Sequence, residues 1–300
     1  MSPLQTPSAL ARELVRGAYD LHIHVDPDVV GRIVDDVTLA ERFRALGLAG
    51  FGLKSHYTST AERARVVSRV VPEVRAVGAL TLNAAVGGLN PLAVEIAARE
   101  GARIVWLPTV DAVNETGRHD GPHVPMWVRI QEDLREAGLP VPKVPVLDER
   151  GAPLPALLDV LGVVARHGLV LATGHLGRDE IFAVVDAALG AGVHDVVITH
   201  PEFPSQSLSI GDQVALAERG AWLERCFTTP HTGKCPWEVV YDGIRATGAK
   251  RNLLSTDLGQ PANPPVEDGL ALFADRLLEG GFSEQEIRTM TVVNSTRLAG

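Results

Sequence analysis

The chain has 300 residues, 45% of them hydrophobic and 22% charged, an ordinary globular balance that argues against disorder and against a membrane protein. A formal net charge of −9 and an isoelectric point near 5.6 argue against nucleic acid, which requires clustered basic surface, so a small molecule is the expected partner. Cys226 and Cys235 are the only cysteines and form no CxxC spacing, the opening MSPLQTPSALARELVRGA has no apolar signal core, and no long apolar run follows; a cytoplasmic protein with reduced thiols is expected.

Taken in chain order, short runs rich in Val, Ile, Leu and Ala predict strands at 18–24, 49–54, 76–83, 102–109, 169–175, 194–200, 221–227 and 252–257. Amphipathic segments such as TLAERFRALG, STAERARVVSRVV, PLAVEIAAREG, PALLDVLGVVARHG and DEIFAVVDAALGAG separate them, several closing on the glycine expected past a helix C-terminus. Eight alternations without a break in composition predict an α/β chain folded as one (β/α)8 barrel over residues 1–300, with extra helices at the end. The last of these starts at Ser283, whose SEQE places Glu286 for a capping box. The rhythm fails only at about 110–150, a polar, Gly- and Pro-containing insertion after the fourth strand that reads as a lid or active-site loop.

Barrel enzymes draw their sites from the C-terminal ends of strands. Those ends here carry His22 and His24, Lys54, Asn83, Thr109, His175, His200, Glu224 and Asp257. His22 and His24 stand two apart on a strand, so they share the inward face. Imidazoles and carboxylates suit Zn²⁺ and its neighbours, and a divalent metal is the expected cofactor, with zinc first and Mn, Fe or Co also compatible.

The HxH of DLHIHVDPD, the His of LATGHLG, the His of VITHPEF, the Asp of LLSTDLG and a closing NSTRLAG, in this order and on these strands, resemble the amidohydrolase superfamily of metal-dependent barrel hydrolases. The resemblance covers essentially the whole chain. It implies that His22, His24 and Asp257 hold one metal and that His175 and His200 hold a second; in one-metal relatives His175 completes the first site while His200 assists the substrate. It further implies a metal-bound hydroxide as nucleophile and Asp257 as the group that shuttles its proton, with His200 also catalytic. The chain departs from the two-metal pattern in lacking a lysine after the fourth strand, where LPTVDA stands. Lys54 of GLKSHY is the only lysine ending a strand, and it is open to three roles: a carboxylated bridge between metals, a cationic grip on a substrate carboxylate, or a rim residue.

Candidate substrate contacts are His56, which shares the face of Lys54; Arg178 after HLG, as a carboxylate binder or a local partner of Asp179 and Glu180; Glu224 and Arg225 at the seventh strand; His231 in TTPHTGKCPW; and His123, with His119 and Asp120, in the insertion. The four tryptophans read as packing rather than as a stacking platform. The expected activity is hydrolysis of an amide, cyclic amide or lactone bond in a small organic substrate, an acidic one included. A mononuclear decarboxylase or deaminase of the same superfamily is the alternative; a histidinol-phosphatase-like phosphoesterase, whose DxH ligand pair is absent from STDLG, and a non-catalytic binding barrel rank lower. A homodimer, the commonest soluble assembly, is the default expectation.

Overall fold

A computed structural model describes residues 6–115 and 126–300, so the candidates His119, Asp120 and His123 lie outside the described residues. The apolar runs form eight strands: β1 Tyr19–Ile23, β2 Gly50–Leu53, β3 Arg75–Thr81, β4 Ala102–Trp106, β5 Val170–Ala172, β6 Val196–Thr199, β7 Trp222–Cys226 and β8 Asn252–Ser255. Every ladder is parallel and the strands neighbour one another in sequence order. The ring closes just past β8, where Ile23 bridges Leu258, His24 N donates to Leu258 O at 2.8 Å and Asp257 N donates to His22 O at 2.7 Å. Closure therefore places Asp257 beside the HxH pair. The fold is a (β/α)8 barrel, as expected.

Alternation along the strands sorts the core into layers. Leu21, Val77, Ala79, Ile104, Trp106, Val170, Ala172, Val197, Trp222 and Leu253 fill the barrel, and Leu298 and Ala299 of the terminal helix Asn294–Ala299 join them from the base. Two larger clusters pack the outer faces of the strands against the helices. The β1–β2 register shifts between Asp20 and Ile23, which lets Leu21 and His22 both reach the interior although they are consecutive. Gly52 faces this irregularity: a Cβ there would stand 2.3 Å from Leu21 O.

The helices begin and end on local chemistry. Asp35 accepts from Thr38 N to cap Asp36–Leu46, which stops at Gly47 in the left-handed region, and Asn90 caps Pro91–Glu100. Ser283 and Glu286 form the expected capping box ahead of Glu284–Arg288. Within the insertion, WVRIQEDLREAG carries a helix, Met126–Glu136, docked by a 2.7 Å bond from Gln131 Nε2 to Asp111 Oδ1. Among the described residues no helix is long and apolar enough to cross a membrane.

The strands are shorter than expected at their C-terminal ends, and this matters for the site. His24, Lys54, Thr109, His175, His200 and Asp257 all stand just beyond the ladders. Two of them, His200 at φ 29° and Asp257 at φ 54°, sit in the left-handed region that non-glycine residues rarely adopt. Such backbone collects at functional sites, where surrounding structure holds it.

Candidate metal centre

Five imidazoles, one lysine and one carboxylate converge at the C-terminal mouth of the barrel. His22 Nε2 lies 3.3 Å from Asp257 Oδ1 and 2.8 Å from Lys54 Nζ, and His24 Nε2 lies 3.2 Å from the same Asp257 oxygen. The ring of His24 stacks on His56 at 5.0 Å, His175 stands 5.1 Å from His200, and His22 is 6.1 Å from His200. His22, His24, Lys54, His56, His175 and His200 are all buried. Gly259 is needed here: a Cβ on it would overlap His24 O at 1.7 Å.

Neighbouring groups orient the rings. Glu224, buried in the barrel, sets Oε2 3.1 Å from His22 Nδ1, with Cys226 Sγ at 3.7 Å. A proton on Nδ1 then satisfies the carboxylate and leaves the Nε2 lone pair facing the cluster, the arrangement that supports histidine ligands in metal sites. Gln206 Oε1 does the same for His200 Nδ1 at 3.1 Å. His175 Nδ1 lies 2.9 Å from Glu115 Oε1. Ser205 Oγ donates to Glu115 Oε1 and Asn114 Nδ2 to the carbonyls of His175 and Ser205, so the start of the insertion braces the loops after β5 and β6.

His56 differs from the others. Asn83 Oδ1 accepts from the backbone N–H groups of Thr109 and Asp111, which commits its amide to donate to His56 O and to Thr109 Oγ1. The Thr109 hydroxyl, itself buried, is left with His56 Nδ1 as its acceptor at 2.9 Å. His56 therefore carries its proton on Nε2 and presents a donor, not a lone pair.

Electrostatics agree with a cation site. Burial drives the pKa values of His24, His56 and His200 well below the usual imidazole value and lowers that of His175, so these rings are neutral at neutral pH. Burial also lowers Lys54. Burial would raise Asp257, but His22, His24 and Lys54 outweigh it and hold the carboxyl well below its ordinary value. Beneath the site, burial pushes Asp20 up to about 7 despite hydrogen bonds from Thr256, at 2.5 Å from its hydroxyl.

The donor atoms of His22, His24 and Asp257 lie within 4.8 Å of one another, and neutral imidazole with an ionised carboxylate is a set that borderline divalent ions accept. The residues fit a metal. A second grouping, His22 with Glu224 and Cys226, is equally compact. It fits less well, because Glu224 is engaged by His22 Nδ1 and burial holds the Cys226 thiol protonated.

Three expected contacts are not brought to this centre. Arg178 is exposed and reaches Asp212 at 2.6 Å and Asp179 at 2.8 Å on the helical exterior, the local pairing. Arg225 points outward because Trp222, Glu224 and Cys226 take the interior positions of β7; it is fully buried against Glu202, Gln213 and Asn252. Removing it would strand the buried Glu202 carboxylate, so Arg225→Met is expected to cost about 3–5 kcal/mol in urea unfolding; an unchanged midpoint would refute this role. His231 lies in the short helix Thr228–His231 with its ring stacked 4.7 Å from Phe227, whose side chain belongs to the outer core.

Other site residues were missed from the sequence. Glu115 and Gln206 sit in loops with no periodic signal, and Thr228 donates to Asp257 Oδ2 at 3.2 Å from just past β7. Arg32 Nη2 stands 3.4 Å from His24 Nδ1 and pairs with Asp28 at 2.6 Å; Asp28 closes the DLHIHVDPD stretch, and the i, i+4 spacing to Arg32 was a usable hint. Trp127, read as packing, stands 6.2 Å from the His175 ring.

Solved structures of the same fold include an amidohydrolase from Pseudomonas aeruginosa, 13% identical over 98% of both chains with a TM-score of 0.64. A metallopeptidase from Rhodobacter sphaeroides bearing a phosphinate mimic of the dipeptide L-Ala-D-Ala is 13% identical over 95% of this chain and 99% of that one, TM-score 0.59. An organophosphorus hydrolase from Deinococcus radiodurans is 16% identical over 100% and 98%, TM-score 0.58. At these identities the likeness is one of fold. No curated protein matches the chain. The profile of a family of unknown function, DUF6282, matches residues 17–224, more than half of the chain and a span that holds all five clustered histidines and Lys54, so the chain belongs to that family.

Proposed function

We propose that this chain is a divalent-metal-dependent hydrolase that cleaves an amide, cyclic amide or lactone bond in a small organic substrate. The observation that carries the reading is the convergence of His22, His24 and Asp257 within bonding reach of one point, with His175 and His200 beside them and Glu224 behind His22. The shared fold of an amidohydrolase, a metallopeptidase and an organophosphorus hydrolase supports it. His22, His24 and Asp257 would hold one ion, His175 and His200 a second, and Lys54, carried as its carbamate, would be shared between them. Zinc is the first choice, since neutral imidazoles, a carboxylate and a carbamate oxygen suit it. When bound, such an ion polarises a carbonyl and brings a water toward ionisation at neutral pH.

The chain's own groups supply the rest. Asp257, with Oδ2 held by Thr228, is placed to take the proton of the attacking water and deliver it to the leaving group. His56 offers Nε2–H to the substrate carbonyl oxygen, where negative charge develops. His200 keeps a free Nε2 for a ligand or substrate role. Burial of Lys54 favours the neutral amine that carbamate formation requires.

The mononuclear alternative, a decarboxylase or deaminase, draws on a separate observation: His22, His24 and Asp257 are a compact trio by themselves, and Lys54 Nζ contacts His22 Nε2 directly. Elemental analysis of chelator-free protein, paired with an assay against lactones, cyclic amides and dipeptides, separates the readings. About two ions per chain with hydrolytic turnover supports the hydrolase; about one ion without hydrolysis supports the alternative. A chain that takes up no divalent metal refutes both.

A further inference from the structure

The loop after β7 puts a cation against Phe203, the aromatic ring beside the second pair of histidines. Gly233, at φ 74°, turns the chain sharply, and Lys234 N donates back to Thr229 O at 3.0 Å. Lys234 Nζ stands 4.5 Å above the centre of the Phe203 ring, which lies 4.8 Å from His200 and 6.1 Å from His175. The ammonium is half-buried, and Asp257, Cys226 and Glu115 are near enough to act on it electrostatically. Yet among the described residues its Nζ makes neither a hydrogen bond nor an ion pair, in a chain with 37 acidic residues against 28 basic ones. A cation drawn partly out of water, with an aromatic face as its direct contact and no hydrogen-bonded anion among the described residues, is incompletely compensated.

Four other candidate cations are committed. Arg178 and Arg225 are paired elsewhere, Arg32 is bound to Asp28, and Lys143 Nζ donates to Glu115 O. Phe203, buried beside the histidines, supplies the apolar surface under the Lys234 ammonium.

We propose that Lys234 determines specificity by binding the anionic group, a carboxylate, of a substrate whose apolar body lies along Phe203. The inference rests on the hydrolase reading for its location, and it narrows the substrate to small organic acids. It makes Lys234 a recognition residue; proton transfer stays with Asp257.

The test is calorimetric titration of the wild-type chain, Lys234→Met and Lys234→Arg with malonate, succinate and glutarate and with their neutral diamides, both zinc-loaded and zinc-free. The wild type is expected to prefer an anion over its diamide. Lys234→Met is expected to lose about tenfold or more of that affinity, since a charge-assisted bond is removed, with diamide binding and zinc content unchanged. Lys234→Arg, which keeps the charge, is expected to stay within about threefold of wild type. Equal anion binding by wild type and Lys234→Met, no preference for any anion in the wild type, or equal losses in both variants would overturn the assignment. Zinc uptake by the wild type is read in the same experiment, so failure of the hydrolase reading appears separately.

Discussion

Asp257→Asn is expected to reduce turnover by about 10³-fold or more and to leave the chain with less than its wild-type complement of metal, while the fold persists. Asparagine is the informative replacement. Asp257 sits at φ 54°, a conformation that Asn tolerates and Ala does not, so backbone strain is unchanged and only the charge is lost. The lost charge is the one that faces His22 Nε2 and His24 Nε2 at 3.3 and 3.2 Å, and an amide oxygen is a much weaker anchor for a divalent ion. Elemental analysis and circular dichroism on the same preparation distinguish site loss from unfolding. Wild-type turnover with wild-type metal content would refute the assignment of Asp257 to the centre.

Lys54→Ala carries the second large effect. If Lys54 is the shared carbamate, its removal takes away an oxygen ligand to each ion, and metal content should fall from about two per chain to one or none. Bicarbonate should raise metal uptake in the wild type and not in the variant. A short carboxylic acid such as propionate should partly restore uptake, because the truncated side chain leaves room beside His22 Nε2, 2.8 Å from where Nζ stood. Metal content that does not change, with a raised KM for an acidic substrate, would instead make Lys54 a substrate cation. Trp106 occupies the last inward position of β4, and Lys54 Nζ stands 5.5 Å from its ring centre.

Most of the architecture was readable in the residue order. Period-two apolar runs followed by amphipathic segments ending in glycine specify βα units locally, and eight of them in a row have few ways to bury their strands other than a closed barrel. The residue types at the strand ends were readable too, because metal chemistry needs imidazole and carboxylate, and His22, His24, His175, His200 and Asp257 each follow a short apolar run.

The tertiary structure decided which polar residues meet. Glu224 and Arg225 are adjacent in sequence, yet one supports His22 from inside the barrel and the other pairs with Glu202 among the helices, a division made by the pleat of β7. Arg178, plausible beside HLG, is drawn to Asp212 from a neighbouring helix. Glu115, Gln206 and Lys234 come from loops without periodic pattern, and only the packing of the loops after β4, β6 and β7 brings the first two to His175 and His200 and the third to Phe203 beside them. Local sequence determines strand, helix and ligand type because those depend on neighbours a few residues apart; the direction a loop side chain takes depends on contacts dozens to hundreds of residues away, and these exist only once the barrel has closed.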